Sequence, residues 1–259
     1  MKYVFFDIDH TLWDSYENIP ESTVRAIRKL RENGHAAYIN TGRSRSNTFS
    51  KKLWDIGFDG IIAACGCHIE RDGQILYERL LTDEQIARSR KVLFENHMPV
   101  IYEGPEYHYM NPEDFPFDPF VERLQKRLGD LARPLDELTN GCRVNKFSAD
   151  IYPSTDLDLV RNKLFDFDFI IYDMRVTEIV LKGSGKSKGI EKLMELEGVD
   201  IDDVYAIGDS INDMDMIDYV RHGIVMGNGD DKLKAVAEYV TDDLDKDGVE
   251  KALMHYGLI

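Results

Sequence analysis

Two aspartates one residue apart close an apolar run. Residues 5–14 read Phe-Phe-Asp-Ile-Asp-His-Thr-Leu-Trp-Asp, with Thr11 two positions after Asp9. An unpaired buried carboxylate is costly, so Asp7 and Asp9 need a partner. Three further polar clusters stand at the ends of apolar stretches. They are Thr41-Gly42-Arg43, the pair Lys186 and Lys188, and the run Gly-Asp-Ser-Ile-Asn-Asp that supplies Asp209, Asn212 and Asp213. Together they hold several carboxylates, a hydroxyl and one or two ammonium groups. A hard dication with oxygen ligands would relieve the crowding, and magnesium typically uses one or two carboxylates, waters and a substrate phosphate. An aspartate in such a place can also be a nucleophile, because carboxylates form aspartyl-phosphates. The chemistry within reach is metal-assisted phosphoryl transfer.

Such residues converge only if strands deliver them to one edge, because ligands bind beyond the carboxyl ends of open parallel sheets. Residues 3–8 read as a buried strand. In 21–33 Val24, Ile27 and Leu30 fall at helical spacing, and Gly34 is the stop. A strand ending at Thr41, a helix over 46–56 and the buried strand Gly-Ile-Ile-Ala-Ala-Cys follow. This alternation predicts a parallel sheet covered by helices. The rhythm then changes to a hairpin turning at Asp72-Gly73, a helix over 83–97, a prolyl and aromatic stretch over 105–120, and several strand-like segments up to 182. From Lys186 the alternation returns, with a helix over 187–197. The expectation is an α/β protein: a Rossmann-like parallel-sheet core, residues 1–80 and 183–259, interrupted by an α+β cap domain, residues 81–182.

The chain has 259 residues, 43% hydrophobic and 31% charged, ample for a sizeable core. Its formal net charge of -16 argues against nucleic acid and anionic membranes as partners. No apolar run reaches the roughly 18 residues of a membrane span, and Met1-Lys2 leads straight into a strand, unlike a signal peptide. Three cysteines fit a reducing cytoplasm. A monomer or weak homo-oligomer is expected.

These motifs resemble the haloacid dehalogenase superfamily of phosphatases, and within it the Cof-like branch, which carries an α/β cap. Asp-Ile-Asp-His-Thr-Leu looks like the first motif, Ile-Asn-Thr-Gly-Arg the second, Gly-Lys-Ser-Lys-Gly the third and Gly-Asp-Ser-Ile-Asn-Asp-Met-Asp-Met the fourth. The resemblance spans essentially the whole chain. It implies a Mg2+-dependent phosphatase acting on a small phosphorylated metabolite, a sugar phosphate or similar. Asp7 is then the nucleophile and a metal ligand. Asp9 is the general acid/base and lends the metal its backbone carbonyl. Thr41 hydrogen-bonds the phosphoryl group, with Gly42 and Arg43 beside it. Lys188 balances charge, with Lys186 as its rival, because Ser-Lys-Gly matches the motif better. Asp209 binds magnesium, Asp213 supports it through water or positions the lysine, and Asn212 lies close to the phosphate. Two positions depart from the branch: His10 replaces its usual glycine, and Cys65-Gly66-Cys67 replaces Asn-Gly-Ala.

Other readings have less support. Residues 183–187, Gly-Ser-Gly-Lys-Ser, imitate a nucleotide-binding loop, but Val180 stands where its first glycine belongs. Cys65, Cys67 and His68 lack the spacing and the fourth ligand of a zinc site. Asp242–Asp247 reads as a solvated acidic loop. A phosphomutase or other phosphotransferase would use the same machinery and is the alternative reaction. A phosphate-storing receiver domain would be about half this length and would have no cap. A non-catalytic relative would not need the intact acidic set.

Overall fold

The computed structural model describes residues 1–115, 119–173 and 175–259. Positions 116–118 of the prolyl and aromatic stretch, and position 174, lie outside the described residues. In chain order the strands are β1 (Tyr3–Phe6), β2 (Ala36–Asn40), β3 (Gly60–Ala63), β4 (His68–Arg71), β5 (Gln74–Glu78), β6 (Val100–Glu103), β7 (His108–Tyr109), β8 (Ala132–Arg133), β9 (Lys146–Asp150), β10 (Phe167–Asp173), β11 (Val176–Leu181), β12 (Val204–Gly208), β13 (His222–Val225) and β14 (Tyr239–Val240).

The chain divides into two compact units: residues 1–42, 49–77 and 185–259 form the first, and residues 43–48 and 78–184 the second. The first is a layered α/β unit whose sheet runs β14-β13-β12-β1-β2-β3-β4-β5. Pairing from β14 through to β3 is parallel, and β4 joins β3 antiparallel. β1 lies between β12 and β2, with Phe6 opposite Ile207 on one side and Ile39 on the other. All four β1 residues are buried. Val4 and Phe6 enter one hydrophobic cluster, Tyr3 and Phe5 the other. That is why the run reads as continuously apolar: helices cover both faces of a central parallel strand. Helix Glu21–Glu32 buries Ala26, Ile27 and Leu30 against the first cluster. Asp72 and Gly73, both at positive φ, make the turn between β4 and β5.

The second unit is α+β. Its sheet runs β10-β11-β9-β6-β7-β8, antiparallel from β10 to β7 and parallel between β7 and β8. Val100, Tyr102, Phe147, Ala149 and Ile179 share one cluster with Ile86 and Leu93 of helix Asp83–Glu95. Thr82 caps that helix, accepting from the Gln85 amide, while Gln85 reaches back to the Thr82 amide.

Two expectations need correction. The helix expected over 46–56 shrinks to a 3-10 turn at Arg45–Asn47 and one helical turn at Lys51–Trp54. Hydroxyls interrupt it: Thr48 Oγ1 donates to the Arg45 carbonyl at 2.7 Å, and Ser46 Oγ to the Gly104 carbonyl at 2.7 Å. For the same reason residues 43–48, assigned from sequence to the core, pack with the second unit. Ser44 and Ser46 place their hydroxyls 3.2 and 3.1 Å from the two ring nitrogens of buried His108.

Candidate active site

The carboxyl ends of β1, β2 and β12 lie side by side in the middle of the first sheet, so each strand delivers a polar residue to the same edge. Asp7 extends the ladder by one step, its amide donating to the Ile207 carbonyl at 2.9 Å. Thr41 does the same at the end of β2, donating to the Ile62 carbonyl at 2.9 Å. Beyond β12 the chain turns sharply. A Cβ on Gly208 would sit 2.5 Å from the Asp213 carboxyl carbon, so only glycine lets Asp213 fold back against the strand end. Its carboxylate then accepts the amides of Asp209 (2.9 Å) and Ser210 (3.1 Å) through one oxygen.

Asp7, Asp209 and Asp213 are all buried, and one oxygen from each lies within 4.8 Å of the others. Asp209 accepts from the fully buried Thr11 hydroxyl at 3.2 Å. The ammonium of Lys186 donates to Asp7 at 2.5 Å and also to Asp213. This corrects the choice of lysine. Lys186 is 3% exposed in the carboxylate cluster, whereas Lys188 is exposed and pairs with Glu191 at 2.8 Å. Helix Lys186–Glu197 starts at Lys186, and at 100° per residue Lys188 is carried about 200° round to the opposite face.

Three ionised carboxylates against one ammonium leave two negative charges in excess. Burial raises the pKa of Asp7 to about 7, with Asp213 and Asp9 adding repulsion and Lys186 opposing it. Burial likewise raises Asp209 to about 8, with Asp7 and Asp213 contributing and Thr11 opposing. Burial works against the Lys186 charge, but Asp213 and Asp7 outweigh it and raise the ammonium above its ordinary value. Lys186 is therefore charged, and the strain of excess negative charge falls on Asp7 and Asp209. A divalent cation would match that excess. The donor set is all oxygen, which suits a hard cation. Asp7 and Asp209 each spend one oxygen on Lys186 or Thr11 and keep a second. Asp213 is already taken up by two amides and the lysine, which suits a supporting role.

The remaining expected residues fall into place differently. Asp9 is half-buried and does not join the carboxylate cluster. Its side chain instead accepts from the Trp13 indole at 3.0 Å, a contact the sequence reading missed although Trp13 stands only four positions on. His10 sits at φ +60°, in the left-handed region that favours glycine and tolerates histidine. Its carbonyl accepts from Asn228 at 3.0 Å. Asn212 is half-buried and accepts from the Ser210 hydroxyl. Thr41 and Gly42 are buried at the end of β2, and Arg43 begins the segment that packs with the second unit. Asn40, also unanticipated, donates to the Lys186 carbonyl at 3.2 Å and so ties β2 to the lysine helix. Ala64, Cys65 and Gly66 all take positive φ, and a Cβ on Gly66 would lie 2.3 Å from the Gly185 carbonyl oxygen. The loop that departs from the Cof-like pattern thus packs directly on the start of the lysine helix.

Comparison with known proteins agrees with this geometry. A profile of haloacid dehalogenase-like hydrolases matches residues 4–253. "Putative phosphatase YkrA" of Bacillus subtilis (strain 168) is 31% identical over 260 residues, spanning 100% of this chain and 98% of that protein. The 5-amino-6-(5-phospho-D-ribitylamino)uracil phosphatase YitU of the same organism is 26% identical over 271 residues, spanning 98% of this chain and 96% of its own. Among solved structures, a hypothetical protein of Geobacillus kaustophilus HTA426 superposes with a TM-score of 0.85 at 29% identity, over 100% of this chain and 99% of the other.

Proposed function

The chain belongs to the haloacid dehalogenase-like hydrolases and is a phosphoric monoester hydrolase, and from that premise we propose a magnesium-dependent phosphatase that works through an aspartyl-phosphate on Asp7. Asp7 attacks phosphorus. Asp9 gives a proton to the leaving oxygen and takes one from the water that releases phosphate. Thr41 holds an oxygen of the transferring group. Lys186 opposes protonation of Asp7 and orients it, and Asp213 holds Lys186. Asp7, Asp209 and the Asp9 carbonyl would hold the metal, with Asp213 behind. When bound, magnesium neutralises charge on the phosphoryl oxygens, where catalysis of this reaction mainly acts. The observation that carries the reading is the buried cluster of Asp7, Asp209 and Asp213 joined by Lys186.

The substrate class is a small phosphorylated metabolite. YitU is named for a phosphorylated ribityl compound, which makes sugar and sugar-alcohol phosphates the first to test. Cytoplasmic residence fits three cysteines without a disulfide and the lack, among the described residues, of a helix long and apolar enough to cross a membrane.

The test is phosphate release from a panel of such esters. Activity disappears with a chelator and returns with magnesium. Calcium restores it poorly, because its larger and looser coordination shell misplaces the nucleophile. Full activity after rigorous metal removal contradicts the proposal, and transfer to a sugar hydroxyl without phosphate release would make the enzyme a phosphotransferase.

A further inference from the structure

Trp13 is a core residue with a polar contact at the site. Its ring is 2% exposed and packs in the cluster that contains Val4, Phe6, Ile8 and Leu12. A buried indole N–H needs an acceptor, and here the acceptor is a carboxylate oxygen of Asp9 at 3.0 Å. The backbone repeats the connection. The Trp13 carbonyl accepts the His10 amide at 2.8 Å, and the Trp13 amide donates to the Ile8 carbonyl at 3.3 Å. The loop from Ile8 to Trp13 is therefore closed twice onto one buried ring, through main chain and through side chain.

We propose that Trp13 is the positioning residue for the acid/base Asp9, its N–H holding one carboxylate oxygen and leaving the transferable proton on the other. The inference rests on the acid/base reading of Asp9 given above. An indole N–H is a donor only. In a protonated carboxyl the carbonyl oxygen is the stronger acceptor, so the indole favours the form of Asp9 that carries its proton on the opposite oxygen. The ionised form accepts the same bond, so the anchor persists through the cycle. In the first step Asp7 bonds to phosphorus, the ester P–O bond breaks, and the leaving oxygen takes the proton from that opposite oxygen of Asp9. In the second step water bonds to phosphorus, the bond from phosphorus to Asp7 breaks, and a water proton returns to Asp9. An acid misplaced by about 1 Å can cost about 10²-fold in rate.

The experiment compares leaving groups. Trp13→Phe keeps an aromatic ring and removes the donor. On ribitol 5-phosphate, whose alkoxide must be protonated, kcat falls about 10- to 100-fold, with KM changed by no more than about twofold. On 4-nitrophenyl phosphate, whose leaving group needs little protonation, the burst of nitrophenol keeps its rate within about twofold. Equal losses on both esters would show that Trp13 only supports the fold, and unchanged turnover of the alkyl ester would overturn the inference outright. Benzothienylalanine at position 13 repeats the test should phenylalanine disturb the core, because sulfur replaces N–H in a ring of the same shape. Asp9→Asn is measured alongside. If it retains alkyl-ester turnover, the acid/base reading itself fails. If it is inactive while both Trp13 variants behave as wild type, only the anchoring fails.

Discussion

Two lysines two positions apart, Lys186 and Lys188, differ in burial and in partners. Both sit in a stretch that matches a phosphatase motif, and neighbouring residue types favoured Lys188. Burial decides otherwise: Lys186 lies between Asp7 and Asp213, and Lys188 faces solvent beside Glu191. Which of two such residues points inward depends on where the helix starts, and Gly185-Lys186 gave no capping side chain from which to read it. Lys186→Met should lower kcat about 10²- to 10³-fold, the range for losing one group aimed at transition-state charge. It also leaves Asp7 and Asp213 without their cation. Lys188→Met removes only a solvent-exposed pair with Glu191, of the kind that contributes little to stability, so its kcat and melting temperature should match wild type. Steady-state kinetics and thermal melts of the two variants check this directly. A dead Lys188 variant with a normal Lys186 variant would reverse the assignment. Asp7 and Asp209 stood out in the sequence because an apolar strand that ends in an acid is costly to bury unless the acid has a partner.

Strand ends and the loops after them set the site's geometry. The apolar runs that became β1, β2, β3 and β12 were legible because a parallel strand covered on both faces has no polar side to disguise it. The 46–56 segment was not, because its serine and threonine hydroxyls bond to the backbone and to His108 in place of helix propagation. The loop Ala64-Cys65-Gly66 looked like mere small residues, yet it fixes where the lysine helix begins. A Cβ at Gly66 would meet the Gly185 carbonyl oxygen at 2.3 Å and the Gly189 nitrogen at 2.8 Å, and φ there is +82°. Gly73 has a similar φ of +76° with nothing within 4 Å of a built Cβ. Gly73→Ala should therefore cost only the left-handed backbone term, about 1–2 kcal/mol. Gly66→Ala adds a backbone clash and should cost several kcal/mol, with kcat falling as Lys186 moves. Denaturant unfolding and kinetics on both variants separate the two terms. Equal destabilisation would mean the glycine contact does not hold the helix start.

At the scale of the whole molecule, the insert was visible as a break in strand–helix alternation, but its claim on residues 43–48 was not. The bonds that bind Ser44 and Ser46 to His108 join residues more than sixty positions apart, and no local pattern announces them. The second unit also contains a buried ionic group of its own. Lys146 is 1% exposed and lies 3.2 Å from Glu103 and 2.7 Å from Glu178, while Glu103 also accepts from Ser148 at 2.6 Å. Burial alone would raise Glu103, but Lys146, His108 and Ser148 outweigh it and hold its pKa at about 2, below the ordinary 4.5. A carboxylate depressed in the folded state adds stability that is complete above about pH 4.5 and is lost as pH falls toward about 2. The second unit should therefore lose stability over that window. Glu103→Gln should be less stable at pH 7, by on the order of 2 kcal/mol or more for a broken buried pair, and its stability should change less between pH 4.5 and pH 2. Unfolding free energies against pH for both proteins test this. Parallel curves would show that Glu103 does not carry the acid sensitivity.

In the proposed reaction Asp7 takes the phosphoryl group and Asp9 moves the protons, and Asp9→Asn tests both halves at once. Without the acid/base, an aryl phosphate can still transfer its phosphoryl group, because its leaving group needs little protonation, but water has no base to release it. Rapid mixing with 4-nitrophenyl phosphate and magnesium, followed by quenching and intact-protein mass spectrometry, should show a burst of nitrophenol and a gain of one phosphoryl group on Asp7. Asp7→Asn should show neither. A burst with Asp7→Asn but not with Asp9→Asn would reverse the two roles, and steady wild-type turnover by both variants would contradict the account.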